Sequence, residues 1–357
     1  MQNRQTIRRR KRKKINKRRI TALILIPVLM IILAGGTYAY YLYNKANNVL
    51  SDSYDGTTNN RGVKPGKDNV SVLFMGVDDS EVRNNSTGSR TDALMLATFN
   101  DKEKTVKLLS IPRDSYVYIP GKDKYSKITH AHAYGGVNYT IDTVENLLDV
   151  PVDYYVKMNF NAFVDVIDAL DGIEVDVPYT FSEQNSKDKK NAIKLEKGLQ
   201  TLDGEEALAL ARTRKLDNDI ERGKRQQEIL KAIAAKATEV SSITKYADVI
   251  EGVGKNMTTN MTFNEMKGFT SYILGGKGLT IESLNLKGGD SYINGTYYYQ
   301  LDQASLESVK DELKVHLGLK SDSEIQPSNT TPDSTTPDNV TPETGESEVL
   351  DNTTTVE

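Results

Sequence analysis

The chain has 357 residues, no Cys and a formal net charge of −3. The missing Cys exclude disulfide staples and thiolate metal sites, yet leave an extracellular location open, because a core of this size can hold itself together. The near-neutral total hides opposed termini: residues 1–20 carry eleven Lys and Arg and no acid, whereas residues 321–357 carry nine Asp and Glu and no base.

From Ile20 to Tyr43 no residue is charged. About 20 apolar residues suffice to cross the hydrocarbon core. Tyr38, Tyr40, Tyr41 and Tyr43 gather at the far end, where an aromatic belt would sit, and the preceding basic block predicts a cytoplasmic N-terminus. The pattern predicts a basic cytoplasmic segment (1–20), a single uncleaved transmembrane helix (21–43), and everything beyond outside the cell. A cleaved signal peptide is the competing reading. Ala22 to Ala34 fits its apolar part, but "GGTYAYYLY" is a poor cleavage region. Beside an anchor, the basic block reads as a topology signal that also meets anionic membrane lipid, in preference to a nucleic-acid arm.

Residues 44–67 are rich in Asn, Asp, Gly and Ser and read as a linker. Residues 320–357 are rich in Thr, Pro and acids, lack apolar periodicity, and are expected to be disordered. Between them, residues 68–319 form one expected domain. "VSVLFMGV", "ALMLATFN" and "TVKLLSI" read as strands. Asn161 is placed to cap a helix with Phe163, Val166, Ile167 and Leu170 on one stripe, ended by Gly172. "IEVDVPY" alternates as a strand. Further helices carry Ile229, Leu230, Ile233 and Ala237, then Leu306, Val309 and Leu313. Interleaved strands and helices predict an α/β fold, a layered α/β/α sandwich.

"RTRKLDNDIERGKRQQ", residues 212–227, crowds six cations into one segment. Arg222 and Gln226 fall on the inward stripe of the helix carrying Ile229 and Ile233. Burying an Arg is costly without a partner, and Asp219, three residues earlier, can supply one. Arg212 and Arg214, two apart, point the same way in an extended segment. A solvated salt-bridged loop is the alternative; the inward register favours an anion site. A second set flanks the strands: Asp78 and Asp79 at the end of the first, Arg90 and Asp92 before the second, Arg113 and Asp114 after the third. Ligand sites in open α/β sheets favour such strand ends. Carboxylates suit Mg²⁺, which normally bridges to substrate phosphates, and Arg forks suit phosphate oxygens. The mixture fits a metal-bridged phosphate or pyrophosphate. His130 and His132 are one residue apart with no third His nearby, a weak metal site, so a structural role is expected. His316, near a helix C-terminus, is expected at the surface, interacting with the helix dipole.

The blocks "GVDD", "SRTDALMLATFN", "LLSIPRDSYVYIPG", "KITHAHAYGG" and "LDGEEALALARTRKLDNDIERGKRQQ", in order after one N-terminal anchor, resemble the LytR-CpsA-Psr family of Gram-positive cell-wall enzymes. The resemblance is dense over about 70–235 and looser towards 319. It implies an extracytoplasmic phosphotransferase that moves a glycopolymer, such as a teichoic acid or capsular polysaccharide, from a polyprenyl-pyrophosphate carrier onto peptidoglycan through a phosphodiester. It further implies that Asp78 and Asp92 are Mg²⁺-side carboxylates (Mn²⁺ being the alternative ion). Arg90, Arg113, Arg212, Arg214, Arg222 and Gln226 would bind pyrophosphate, and Asp219 would orient the arginines. The catalytic group would be Asp78, Arg113 and Asp219, with Asp78 orienting or deprotonating the acceptor hydroxyl. One departure stands out: many members place Arg two residues after the first Asp, and here Ser80 and Glu81 follow, leaving Asp79 either a ligand or a turn acid. The family also implies an apolar lipid pocket, for which Phe160, Phe163 and Ile167 are candidates, ordinary core being the other reading for each. Two rival functions remain at this level. One is a lipid-pyrophosphate hydrolase. The other is a membrane-anchored transcriptional regulator, disfavoured because the anchor separates the basic block from the Arg cluster and the outer part is net acidic; no nucleic-acid partner is expected.

Overall fold

The strand patterns place alternate side chains on opposite faces of one sheet, and both faces are covered. In the computed structural model, residues 17–57, 61–77, 89–215, 219–237, 239, 246–274 and 280–321 are described; the side chains of residues 17–32, 246, 247, 253, 255, 273 and 274 fall outside that description. In chain order the elements are α1 (Lys17–Asp52), β1 (Val70–Val77), β2 (Thr91–Asn100), β3 (Thr105–Ser110), β4 (Tyr116–Ile119), β5 (Lys124–Lys127), α2 (Thr129–Leu148), β6 (Tyr154–Asn159), α3 (Phe160–Ala169), β7 (Ile173–Val177), β8 (Phe181–Glu183), β9 (Ile193–Leu195) and β10 (Gly198–Leu202). There follow α4 (Gly204–Arg212), α5 (Asp219–Ala237), α6 (Tyr246–Lys255), β11 (Met257–Thr259), α7 (Phe263–Gly268), α8 (Thr270–Leu274), β12 (Thr280–Asn285), β13 (Gly288–Ile293), β14 (Thr296–Leu301) and α9 (Gln303–His316).

Six strands form the central sheet in the order β11–β6–β1–β2–β3–β12. β1, β2 and β3 run antiparallel to one another, while β6 lies parallel to β1 and β12 parallel to β3. Leu73, Met75, Leu94, Leu96 and Leu109 pack on one face with α2 and α9, through Val144, Leu148, Val309 and Leu313. The intervening side chains, Val72, Phe74, Met95, Ala97 and Leu108, point to the other face, where α5, α7 and α8 contribute Leu230, Met266 and Tyr272. The period of two thus gives one sheet two cores, the layered arrangement expected. A further core joins α3, α4 and α5 to β7 through Ile167, Val175, Leu210 and Ile229.

Two local expectations are corrected, the cap of α3 and the place of His316. The cap of α3 is Asn159, whose side chain accepts from the Ala162 N–H, and not Asn161, because the helix starts two residues earlier than the apolar stripe implied. The apolar run of 20–43 lies within α1; among the described residues no helix is long and apolar enough to cross a membrane. His316 is not a surface residue. It is 3% exposed, with Nδ1 2.8 Å from Thr98 Oγ1 and Nε2 2.9 Å from Thr105 Oγ1, and its carbonyl accepts from the Asn100 amide. Helix-end position alone does not reveal that α9 lies across the sheet and buries its last turn.

Burial pushes the His316 imidazole down to about 4, with Lys107 adding to the effect. The folded protein therefore holds a neutral ring that the unfolded chain would protonate near its ordinary value. Stability is fully present above about pH 6.5 and falls as pH drops towards 4, by on the order of 3 kcal/mol from this residue. Chemical denaturation at pH 7 and pH 4.5 should show that loss in the wild type, and a smaller loss in His316→Gln; equal slopes would refute the assignment.

Candidate active site

α5 is set against the sheet by its own sequence. A Cβ on Gly223 would come within 2.5 Å of Ser110 Oγ, so glycine allows the helix to approach the end of β3 closely. One turn on, the buried Gln227 amide donates to the carbonyls of Leu108 and Leu284, each at 2.9 Å, and straps α5 to β3 and β12. Arg225 points the opposite way: its Nε donates to the Leu210 carbonyl at 3.1 Å and Nη2 to the Thr213 carbonyl at 2.6 Å, satisfying the free end of α4. α4 itself starts from a capping box of Asp203 and Glu206. Docked on both sides, α5 carries Arg222 and Gln226 into the space between the sheet and α3.

That space is a cleft of about 700 Å³. Phe74, Met95, Met158, Phe163, Leu230 and Ile233 are among the apolar side chains along its walls. Its mouth, at the end of β1 and the start of β2, is polar: Asp92, Arg113, Arg212, Arg214, Arg222 and Gln226 all line it. Phe160 lines the cleft as expected, and its ring lies 4.9 Å from the Arg212 guanidinium. Ile167 does not; it is fully buried in the core around α3, where Val166 takes the lining position.

The mouth is wired by carboxylates. Asp219 Oδ1 accepts from Arg222 Nη1 at 2.9 Å and lies 3.4 Å from Arg214 Nε. Arg113 pairs with Asp92, and Arg212 Nη2 lies 3.6 Å from Asp188. Behind Asp219 stands Asp114, which sequence reasoning placed at the strand end without a role. It is 6% exposed, 2.8 Å from Lys127 Nζ, and hydrogen-bonded to Asp219. Two carboxyl groups in such contact disfavour each other's ionisation and push their pKa values apart. Burial pushes Asp219 up, against the pull of Arg222 and Arg214; burial opposes ionisation of Asp114 too, but Lys127 and the Asp219 bond outweigh it and hold Asp114 low. Burial also lowers Arg222 to about 10, still cationic at neutral pH.

Among the described residues, Arg113 Nε, Arg212 Nη1 and Arg222 Nε are buried without a hydrogen-bond partner. Buried donors of this kind are normally satisfied, and three at one mouth make a receptor for an oxyanion with several oxygens.

The other expected residues are dispersed. Arg90 is exposed and does not line the cleft; its charge acts on His130 and Tyr134 of α2. Asp78 and Asp79 lie outside the described residues. Among the described residues no group of three His, Asp or Glu gathers as a metal cluster. A Mg²⁺ ion that keeps waters and substrate phosphates among its ligands needs only one or two carboxylates, and Asp92 offers one at the mouth. His130 and His132 do not pair: His130 Nδ1 is 2.9 Å from Ser126 Oγ, and His132 Nδ1–H donates to the Ser89 carbonyl at 2.7 Å.

A model of the LytR_cpsA_psr family matches residues 37–315. The polyisoprenyl-teichoic acid–peptidoglycan teichoic acid transferase TagT of Bacillus subtilis (strain 168) is 43% identical over 320 residues, covering 87% of this chain and 98% of that protein. TagU of Bacillus licheniformis, a transferase of the same description, is 40% identical over 318 residues, covering 87% and 99%. Among solved structures, TagT with bound octaprenyl pyrophosphate lipid matches at a TM-score of 0.58 and 43% identity, over 74% of this chain and 99% of that one.

Within the cationic segment, scaffold and mouth should separate experimentally. Arg225→Leu leaves two buried carbonyls without donors and should lower unfolding free energy by on the order of 2–4 kcal/mol. Arg214→Ala, at a side chain 43% exposed, should change it by less than about 1 kcal/mol. Chemical denaturation of both variants checks this, and equal losses would contradict the division.

Proposed function

The chain belongs to the LytR-CpsA-Psr family, and from that premise we propose that it transfers a teichoic-acid-type glycopolymer from a polyprenyl-pyrophosphate carrier to peptidoglycan, forming a phosphodiester. The observation that carries this reading is the shape of the cleft: an apolar body continuous with a mouth of guanidinium groups, three of them with buried unpaired N–H. An isoprenoid chain ending in a pyrophosphate has the same division. Its tail would remove apolar surface from water between sheet and helices, and its phosphates would satisfy Arg113, Arg212 and Arg222.

In the reaction, a peptidoglycan hydroxyl attacks the phosphorus that bears the sugar. A new P–O bond forms, the bond to the bridging pyrophosphate oxygen breaks, and polyprenyl phosphate leaves with the electron pair. The hydroxyl proton passes to a carboxylate, a role that the motif gives to Asp78. Arg113 and Arg222 hold the phosphoryl oxygens as charge develops, and Asp219 fixes Arg222 and Arg214 in place. Asp92, with Asp78, would hold Mg²⁺ or Mn²⁺, which neutralises phosphoryl charge when bound. The donor linkage is already activated, so no ATP is required. On this reading the apolar run of residues 20–43 anchors the enzyme in the cell membrane, with the N-terminus inside and the catalytic domain outside. Protease added to intact protoplasts should digest the domain beyond about residue 44, and its protection would reverse the topology.

The assay is transfer of a lipid-pyrophosphate-linked oligosaccharide to peptidoglycan oligomers, with released polyprenyl phosphate measured separately. Release without transfer would identify a hydrolase. Lys keeps the charge of Arg but loses its fork. Arg113→Lys should therefore fall with Arg113→Ala, roughly tenfold to a hundredfold below wild type at unchanged melting temperature; near-wild-type turnover would mean that Arg113 contributes charge alone. A chelator, or Asp92→Asn, should abolish transfer. Full activity in the presence of the chelator would remove the metal from the reaction.

A further inference from the structure

The loop that carries Arg113 and Asp114 leads directly into an aromatic surface outside the cleft. β4 alternates Val117 and Ile119 into the core with Tyr116 and Tyr118 outward. Its partner β5 sets Tyr125 opposite Tyr118, and Tyr125 is 59% exposed. The second hairpin, β13–β14, is joined to the first at the mouth itself: the Tyr299 N–H donates to the Asp114 carbonyl at 2.9 Å. It adds Tyr298, whose ring meets Tyr116 edge-on at 4.8 Å, while Tyr116 stacks on Tyr125 at 5.3 Å. The result is a run of rings that starts three residues beyond Arg113, at most about 10 Å away along the chain.

Such a surface suits a ligand with apolar faces and hydroxyl edges. The rings offer flat apolar area at low entropic cost, with polar tips. Carboxylates are interleaved with them: Tyr118 Oη donates to Asp123, and Tyr297 Oη donates to Asp290 at 2.9 Å. Exposed Lys122 and Lys124 add positive charge, Lys124 lying 4.4 Å over the Tyr134 ring. Sugar rings stack on tyrosine by their C–H faces and hydrogen-bond to carboxylates by their hydroxyls, and lysines pair with acidic substituents. An anionic bilayer would not favour Asp123 and Asp290. The anchor side is also elsewhere: Tyr54, just after α1, bridges to Thr259 of β11 at one edge of the sheet, whereas these hairpins follow β3 and β12 at the other.

We propose that the outer faces of β4–β5 and β13–β14 form the docking surface for the acceptor, a glycan strand of amino-sugar rings bearing acidic peptides, and feed its hydroxyl to the mouth beside Arg113. The proposal rests on the transfer reading above for the identity of its ligand. It is tested by co-sedimentation of the full chain with purified peptidoglycan stripped of attached glycopolymer. Tyr118→Ser with Tyr125→Ser should weaken binding roughly tenfold, and Tyr125→Trp, which keeps a ring, should bind like the wild type, all at similar melting temperatures. In the transfer assay the double variant should raise KM for the acceptor and leave KM for the lipid donor unchanged. Wild-type binding by the double variant, or no binding by the wild type itself, would overturn the proposal. So would intact peptidoglycan binding with lost binding to phosphatidylglycerol vesicles, which would mark a membrane contact. Failure of the wild type to transfer, with the tyrosine-dependent binding intact, would sink the transfer reading and leave the docking surface standing.

Discussion

The buried ion pair of Arg222 and Asp219 is the constraint around which the cleft is arranged. A guanidinium 5% exposed is stable only with its charge answered, and Asp219 answers part of it through Nη1, leaving Nε unpaired. The residual demand is what makes the site a receptor: an anion entering the mouth completes the hydrogen bonding of a cation already desolvated. Asp219 cannot answer more, because the same Oδ1 also faces Arg214 and the carboxyl group lies against that of Asp114.

Holding that pair in place requires rigid neighbours. Gln227 and Gly223 fix α5 to the strands, and Arg225 fixes it to α4. The polar stretch from Asp219 to Gln227, about two and a half turns of one helix, thus serves two purposes, gripping scaffold carbonyls and facing the ligand. The same helix turns apolar at Ile229, Leu230 and Ile233 as the cleft deepens. A single amphipathic gradient along α5 therefore aligns the polar and greasy ends of the cleft with those of a lipid pyrophosphate.

The surroundings extend this logic outward. Arg113 stands at the junction of three features: the cleft, the carboxyl pair behind it, and the tyrosine hairpins beyond. Its position follows from β3, whose last residue precedes it by only three positions. In the proposed arrangement a donor held inside the cleft and an acceptor laid along the hairpins meet at this one side chain, which brings the two reactants together.

Much of this was legible in the sequence. Period-two alternation in residues 70–110 and the 3.6-residue stripe through Arg222, Gln226 and Ile229 depend on local backbone geometry, so they fix element type and inward face without tertiary information. Family resemblance carried the function, because ordered motif blocks survive where single residues do not inform. Other features were decided only by packing between distant segments. His316 is buried because α9 crosses the ends of β2 and β3, over 200 residues away in the chain. Ile167 turns into the core and Val166 into the cleft because α3 leans on α4. Asp114 meets Asp219 across more than 100 positions, and Tyr116 meets Tyr298 across nearly 200. Sequence spacing sets which way a side chain leaves its own backbone; only the docking of one element on another sets what it then meets.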